Sequence, residues 1–297
     1  MIAPFANLFG YILNFIYNIV NNYGLAIIIF SILIKIILLP LSIKQQKTMK
    51  KTTKIQNKLK EIQFKYKNDP ENLNRATMEL YKTENMSPFS GCFSGIVQII
   101  LLFAVFYLVR SPLTYMKKID ANIINKYTKI VKENDLSTDS AYPEIEVIRE
   151  LNNIKKLKEN NTENIEEKTD LAEINDEELN SLDINMNFLG LNLAQIPTRS
   201  GDWKAFIIPV LYVLVSVISL RITNPTPKKK DGEEKNSEDE FDPMAQMNKN
   251  MNLMFPVMYL AVALIAPLGL ALYWLMNSLL MIIERLALNK MLKDEEE

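Results

Sequence analysis

The feature that most restricts the fold of this chain is an apolar run, Gly24 to Leu41, that contains a single charged residue, Lys35. A helix needs about 20 predominantly apolar residues to cross the hydrocarbon core of a bilayer. Backbone with unpaired polar groups is not tolerated in contact with lipid, so a spanning segment of this length has to be helical. The run therefore predicts a membrane-spanning helix with one cation inside it.

Lys35 is costly at this position. An ionisable side chain at the centre of a span costs about 2.5–3.5 kcal/mol on insertion scales. To reach the interface by snorkelling, its ammonium group would have to pass the rest of the run to Leu41, about 9 Å of helix. Two interpretations stay open, a snorkelling lysine and a cation in a polar cavity between helices. The long reach favours the cavity.

Three further apolar blocks occur, at residues 92–109, 203–222 and 251–283. The last block would form a helix of about 50 Å, which is too long for one crossing. A break at Ala266–Gly269 (APLG) divides it into two. The sequence thus predicts an all-α, polytopic membrane protein with five transmembrane helices.

Two segments outside the spans are also predicted to be helical. Residues 1–22 carry asparagines on one helical face and apolar side chains on the other, which is typical of an amphipathic helix lying in the interface. The lysine-rich residues 43–90 predict a helical hairpin, whose second helix follows the N-cap Asp69 and covers about Pro70–Thr83. The positive-inside rule makes this hairpin cytoplasmic, which puts the N-terminus outside and the C-terminus in the cytoplasm.

The remaining segments connect the spans. Residues 111–202 are acidic and predict one amphipathic helix near Glu144–Leu157, followed by a flexible or weakly helical stretch at 158–183. The full predicted organisation is an interfacial helix at 1–22, spans one and two with the hairpin at 23–110, an extracytoplasmic region at 111–202, span three at 203–222, a charged cytoplasmic loop at 223–250, spans four and five at 251–286, and a cytoplasmic tail at 287–297.

The residue types that the chain lacks exclude several functions. The sequence contains no histidine and one cysteine, Cys92, which argues against a zinc site and removes the commonest general base. The nearest acids, Asp202 and Glu284, lie at the ends of predicted spans, whereas a proton- or sodium-coupled transporter normally has an acid at depth. We therefore expect no enzymatic activity, no metal and no cofactor.

Neutral polar residues within the predicted spans accompany Lys35. Ser31, Gln98, Tyr273 and Asn277 could line one hydrated groove with it, and hydrogen bonding between helices is the alternative use of such residues. A hydrated groove would lower the cost of taking a polar peptide part-way across the bilayer. A buried cation would attract acidic residues there, because Coulomb attraction is stronger at low dielectric.

Four segments resemble the YidC family of membrane protein insertases in their order and spacing. They are YGLAIIIFSILIKIILLPLSIKQQKTMKK (Tyr23–Lys51), LYKTENMSPFSGCFSGIVQII (Leu80–Ile100), NFLGLNLAQIP (Asn187–Pro197) and MFPVMYLAVALIAPLGLALYWLMN (Met254–Asn277). The resemblance implies a five-helix bundle with a hydrated, positively charged groove that is open to the cytoplasm and to lipid and closed on the outside.

The resemblance also implies roles for individual residues. Lys35 stands at the position of the family's groove arginine, Gln98 at that of a groove glutamine, and Trp274 at that of a groove-side aromatic, for which an interface anchor is the alternative. The implied function is the insertion and chaperoning of nascent membrane proteins in the plasma membrane, alone or beside the Sec translocon. The ribosome and targeting factors are further implied partners, although the tail Lys293–Glu297 is short and acidic, whereas related proteins often carry a basic tail that touches the ribosome.

Two other functions remain as alternatives. A small-molecule or anion transporter could use Lys35 as its binding site, and a deep carboxylate or a pair of internal repeats would favour that function. An enzyme that acts on lipid is a weaker alternative, because the chain lacks histidine and the predicted spans lack a deep carboxylate.

Overall fold

The computed structural model describes residues 3–84, 90–137, 141–161, 174–223, 254 and 256–294. These residues form helices and one two-stranded antiparallel hairpin. In chain order the elements are α1 (Ala3–Val20), α2 (Tyr23–Lys65), α3 (Pro70–Thr83), α4 (Ser90–Arg110), α5 (Pro112–Tyr115), α6 (Ala121–Glu133), α7 (Pro143–Asn161), α8 (Asp176–Leu182), β1 (Asn187–Phe188), β2 (Leu191–Asn192), α9 (Pro197–Ser200), a 3₁₀ turn (Trp203–Phe206), α10 (Ile207–Thr223), α11 (Pro256–Ile265) and α12 (Leu268–Asp294).

Several of these helices can cross a membrane. By length and composition, four stretches within the described part of the chain qualify: Ala3–Val20, Tyr23–Thr48, Trp203–Ile222 and Leu268–Met291. Two shorter apolar stretches, Ile99–Arg110 and Pro256–Ile265, belong to α4 and α11. Since α1 is among the four, length and composition do not separate a spanning helix from the interfacial helix predicted for residues 1–22. The number of five crossings stays a prediction.

Helix α2 is much longer than the first predicted span. It continues through Pro40 to Lys65, so the span and the first arm of the basic hairpin are one continuous helix. Helix α3 then folds back against it, and Lys58 pairs with Glu84 across the hairpin at 2.7 Å. The charged loop predicted at 223–250 lies, apart from its first residue, outside the described residues.

Two asparagines separate α1 from α2. Asn21 has a left-handed backbone (φ 46°), a conformation that asparagine adopts more readily than most residues. Asn22 is the N-cap of α2, and its side chain accepts a hydrogen bond from the amide of Leu25 at 3.0 Å.

Gly10 lies so close to the carbonyl of Tyr115 that no β-carbon fits between them. Helix α1 therefore packs on α4 and α5 as well as on α2.

The segment between α4 and α10 contains more structure than the sequence predicts. The amphipathic helix predicted near residues 144–157 is present as α7, and two further helices, α6 and α8, pack with it around a shared core. The prediction that 158–183 is flexible or weakly helical is wrong for residues 158–161, which extend α7, and for residues 174–183, where Ile174, Leu179 and Leu182 are buried. Residues 162–173 lie outside the described part.

Glu144 connects this three-helix unit to α5, the short helix that follows α4. The carboxylate of this buried residue accepts hydrogen bonds from the amide and the hydroxyl of Thr114, at 3.0 and 2.6 Å. Burial raises the pKa of the Glu144 carboxyl, and the hydrogen bonds from Thr114 oppose that rise. The pair holds α7 against α5.

Candidate functional site

A cleft lies between α1, α2, α4 and α12, and it is lined by apolar and polar side chains. The lining residues are Phe9, Ser31, Ile34, Lys35, Leu38, Leu41, Ser42, Gln45, Leu101, Leu102, Val105, Tyr273 and Asn277. Its cavity volume is about 50 Å³, and one water molecule needs about 10–15 Å³ on this scale. The cleft as it stands has room for a few water molecules, and a peptide would require it to open.

Four of the six predicted groove residues line this cleft. Ser31 and Lys35 come from α2, and Tyr273 and Asn277 come from α12. In both helices the two residues are four positions apart, which puts them on the same helical face. The fifth, Gln98, lies in α4, but its side chain is outside the described residues.

The sixth predicted groove residue, Trp274, is not among the residues that line this cleft, and its role in a groove stays a prediction. Adjacent residues of a helix point about 100° apart, so Tyr273 and Trp274 face different neighbours. The ring of Trp274 lies 5.8 Å from that of Tyr212 on α10, which lies 5.9 Å from that of Tyr259 on α11. Trp274 thus joins α10, α11 and α12 through aromatic packing.

Lys35 is paired with a carboxylate. Its Nζ lies 3.0 Å from Oε2 of Glu284 on α12, and the two side chains are 22% and 14% exposed. Glu284 lies at the end of a predicted span, and its contact with Lys35 is not predicted from the sequence. The contact forms because α2 and α12 pack beside each other and both side chains are long. The available signal was helical spacing, since Tyr273, Asn277 and Glu284 recur on one face of α12.

The pair leaves part of the carboxylate unused. Oε1 of Glu284 is buried and has no hydrogen-bond partner among the described residues. A second polar link joins the same two helices closer to the basic hairpin, where Nε2 of Gln46 donates to Oδ1 of Asn289 at 2.8 Å. We call this end of the bundle, where α2 continues into α3, the hairpin end. Helices α2 and α12 are joined there by side chains.

The opposite end of the bundle, where α2 and α12 begin, is covered by residues 185–195, which we call the capping segment. The first N–H groups of a helix have no partner within that helix. Here the amides of Tyr23, Leu268 and Gly269 donate to carbonyl groups of the capping segment at 3.0, 2.9 and 2.9 Å. We call this end the capped end. It is held together by backbone hydrogen bonds.

The hairpin of β1 and β2 wedges the capping segment against α2. The ring of Phe188 lies so close to Gly24 that a β-carbon at this position would overlap it. The side-chain amide of Asn22 donates to the carbonyl of Asn187 at 2.6 Å. Only glycine at position 24 allows this approach without a shift of the ring.

Comparison with known proteins gives a family for a chain with these features. The sequence model of the family described as 60Kd inner membrane protein matches residues 15–296. The chain belongs to this family. Together with the helices that are long and apolar enough to span a bilayer, membership makes it a multi-pass membrane protein.

Individual relatives carry the name Membrane protein insertase YidC. The protein from Fusobacterium nucleatum is 48% identical over 102 residues, which are 34% of this chain and 50% of that protein. The protein from Caldanaerobacter subterraneus is 41% identical over 109 residues, 37% of this chain and 53% of that protein. The protein from Chlorobaculum parvum is 46% identical over 102 residues, which are 34% of this chain and 17% of that protein. The resemblance to the YidC family is confirmed, although the match spans about half the length of the first two relatives and less of the third.

Proposed function

We propose that the chain is a membrane protein insertase and chaperone that takes nascent membrane proteins into the bilayer through the cleft. A polar tail that enters a bilayer loses its hydrogen bonds to water, and each unsatisfied group costs several kcal/mol in hydrocarbon. Ser31, Tyr273 and Asn277 offer hydrogen-bonding groups at the cleft, and Lys35 offers a cation. The name carried by the relatives supports the same function.

The observation that carries this proposal is the contrast between the two ends of the cleft. Backbone hydrogen bonds close the capped end, while side-chain pairs join α2 and α12 toward the hairpin end. A path that is closed at one end accepts a tail without forming a pore through the membrane. We place the capped end outside and the basic hairpin end in the cytoplasm, as the positive-inside rule requires.

Insertion then follows from solvation alone, with no covalent step. The tail of the substrate occupies the cleft, opened and hydrated, while its apolar segment leaves sideways into lipid. The helices that line the cleft expose apolar side chains along which that segment can slide, among them Ile36 and Ile37 of α2 and Leu102 and Phe103 of α4. The tail is released outside when the apolar segment has reached its full depth.

The basic hairpin offers a surface for the delivering partners. Its exposed lysines on α2 and α3 suit the ribosome, an acidic targeting factor or anionic lipid headgroups. The proposed function includes work beside the Sec translocon as well as alone.

Depletion of the protein, followed by proteomics of the membrane fraction, tests the proposed function. We expect membrane proteins with short translocated tails to be lost first, because a cleft of this size suits short polar segments. An unchanged membrane proteome would contradict the proposal. A changed uptake of small anions by intact cells with no change in the membrane proteome would favour an anion transporter instead.

A further inference from the structure

We propose that Glu284 occupies the place at Lys35 that a carboxylate of a substrate tail would take, and that this residue determines which tails the cleft accepts. The proposal rests on the proposed insertase function. It follows from the contact between Lys35 Nζ and Glu284 Oε2 at 3.0 Å, at the cleft between α1, α2, α4 and α12 that Lys35 lines. Glu284 is thus a specificity-determining residue rather than a catalytic one.

The contact is of the kind that an acidic tail would make. An ammonium group has three N–H donors, and the carboxylate of Glu284 is the acid that Lys35 meets. The lining of the cleft contains no aspartate or glutamate, and Ser31 directs its hydroxyl to the carbonyl of Ile27 at 2.7 Å. An arriving carboxylate would therefore meet an ammonium group whose charge is already paired with Glu284.

The pair also changes the charge that a substrate meets. With Glu284 in place, the positive and negative charges are adjacent and nearly cancel at the distance from which a tail approaches. A paired cleft should therefore distinguish weakly between acidic and neutral tails. A cleft with Lys35 alone would attract acidic tails strongly. Glu284 accordingly widens the range of tails toward neutral ones.

The structure allows the exchange of one carboxylate for another. Glu284 is held through one oxygen, since Oε1 is buried with no hydrogen-bond partner in the described part of the chain. When the pair opens, Gln46 and Asn289 still join α2 to α12 at 2.8 Å. The exchange therefore replaces the Lys35–Glu284 pair by a pair between Lys35 and a carboxylate of the tail, while the bundle stays assembled.

Reconstitution of the full chain into liposomes tests this role with two probes. Each probe is a single-span peptide with a short N-terminal tail that carries either one aspartate or one asparagine at the same position. The measured quantity is the ratio of protease-protected aspartate tail to protease-protected asparagine tail. The proteins compared are the wild type, Glu284→Gln, the double variant Lys35→Gln with Glu284→Gln, and the control Glu79→Gln, which removes an exposed glutamate of α3.

We expect a ratio near one for the wild type and for Glu79→Gln. Glu284→Gln should raise the ratio by about fivefold or more, because two unit charges about 4 Å apart attract by that factor even at the dielectric constant of water. The double variant should return the ratio to the wild-type value or below, since its cleft has no charge. If Glu284→Gln does not accumulate, Glu284→Asp replaces it, because the shorter side chain draws the carboxylate away from Lys35.

Two results would overturn the role of Glu284, and they are distinguishable. If the wild type inserts both probes and Glu284→Gln lowers both in proportion, so that the ratio stays constant, the pair is structural and the proposed function survives. If the wild type inserts neither probe above the level of protein-free liposomes, the proposed function fails and the role of Glu284 fails with it.

Discussion

The two ends of the cleft are joined by different kinds of bond. At the capped end, the amides that begin α2 and α12 donate to carbonyl groups of residues 185–195. At the hairpin end, the same two helices are linked by the side-chain pairs Lys35–Glu284 and Gln46–Asn289. A backbone amide whose partner is removed in an apolar place stays unpaired, at a cost of about 1–3 kcal/mol. A side chain can rotate toward a new partner.

This difference gives each end a role. The capped end is costly to open because several backbone bonds would be lost together, and Phe188 is wedged beside Gly24. The hairpin end can open by an exchange of side-chain partners, which a polar peptide supplies. We therefore expect changes at the capped end to affect folding, and changes at the hairpin end to affect the choice and entry of substrates.

Reversal of the charge at position 35 should have the largest effect on insertion. Lys35→Glu would place two carboxylates in contact, which repels acidic tails and replaces an ion pair by a like-charge pair. We expect insertion of substrates with acidic tails to fall by more than about tenfold, given the strength of contacts between like charges in a poorly hydrated site. Lys35→Arg should retain activity, because it keeps the charge.

An insertion assay in cells depleted of the wild-type protein measures both variants. The charge-swapped protein, Lys35→Glu with Glu284→Lys, should recover assembly of the bundle, since the pair is restored with its direction reversed. Equal insertion of acidic tails by Lys35→Glu and by the wild type would show that Lys35 does not bind these tails.

Two glycines test how closely the helices pack outside the cleft. Gly10→Ala forces a β-carbon into the carbonyl of Tyr115, and overpacking of this kind costs about 1–3 kcal/mol. Gly269→Ala is the control, since the nearest atoms to its β-carbon lie at 3.4 and 3.6 Å, an ordinary contact. We expect the thermal midpoint in detergent to fall for Gly10→Ala and to stay nearly unchanged for Gly269→Ala. The reverse order would show that the packing of α1 is not as described.

The cap of α2 should have a smaller effect. Asn22→Ala removes the side chain that accepts from Leu25 and donates to Asn187, and loss of an N-cap costs about 1 kcal/mol. Hydrogen exchange should accelerate in the first turn of α2 and in β1. Asn18→Ala, at an exposed position of α1, is the matched control. Equal acceleration by both substitutions would argue against a specific capping contact.

The second side-chain link at the hairpin end should have the smallest effect on stability. Gln46→Ala removes one neutral hydrogen bond to Asn289, worth about 0.5 kcal/mol at the low end of the usual range. We expect the midpoint of unfolding to change little, while hydrogen exchange near residue 46 becomes faster. Gln63→Ala, at an exposed position farther along α2, provides the control. The same acceleration from Gln63→Ala would mean that the link does not hold this end.

Much of the helix pattern follows from the sequence, because long apolar runs and capping residues are local signals. Pro70–Thr83 was predicted from Asp69 and Pro70, and α3 has the same bounds. Helix α6, which is not among the predicted helices, carries comparable local signals. Asp120 caps it by accepting from the amide of Asn122 at 2.8 Å, and Ile124, Tyr127 and Val131 recur at helical spacing.

The candidate site was predicted in part, for reasons of geometry. Ser31 with Lys35 and Tyr273 with Asn277 share faces of their helices, and spacing alone reveals this. The contact of Glu284 does not follow from its place at the end of its own span, because it depends on how α2 and α12 lie beside each other. Asn187–Pro197 resembles the family, but the capping contacts of residues 185–195 do not follow from the sequence, since their bonds to the helix ends use backbone carbonyl groups that every residue type possesses.

Site-specific photo-crosslinking to a stalled nascent chain tests most directly whether substrates enter a cleft that is closed at the capped end. A photoreactive residue is placed either at Ser42, which lines the cleft, or at Leu189, the exposed tip of the β1–β2 turn at the capped end. The chain is stopped when its tail has just reached the membrane. We expect crosslinks from position 42 and none above background from position 189. Crosslinks from position 189 at this length, with a yield equal to that from position 42, would contradict the account.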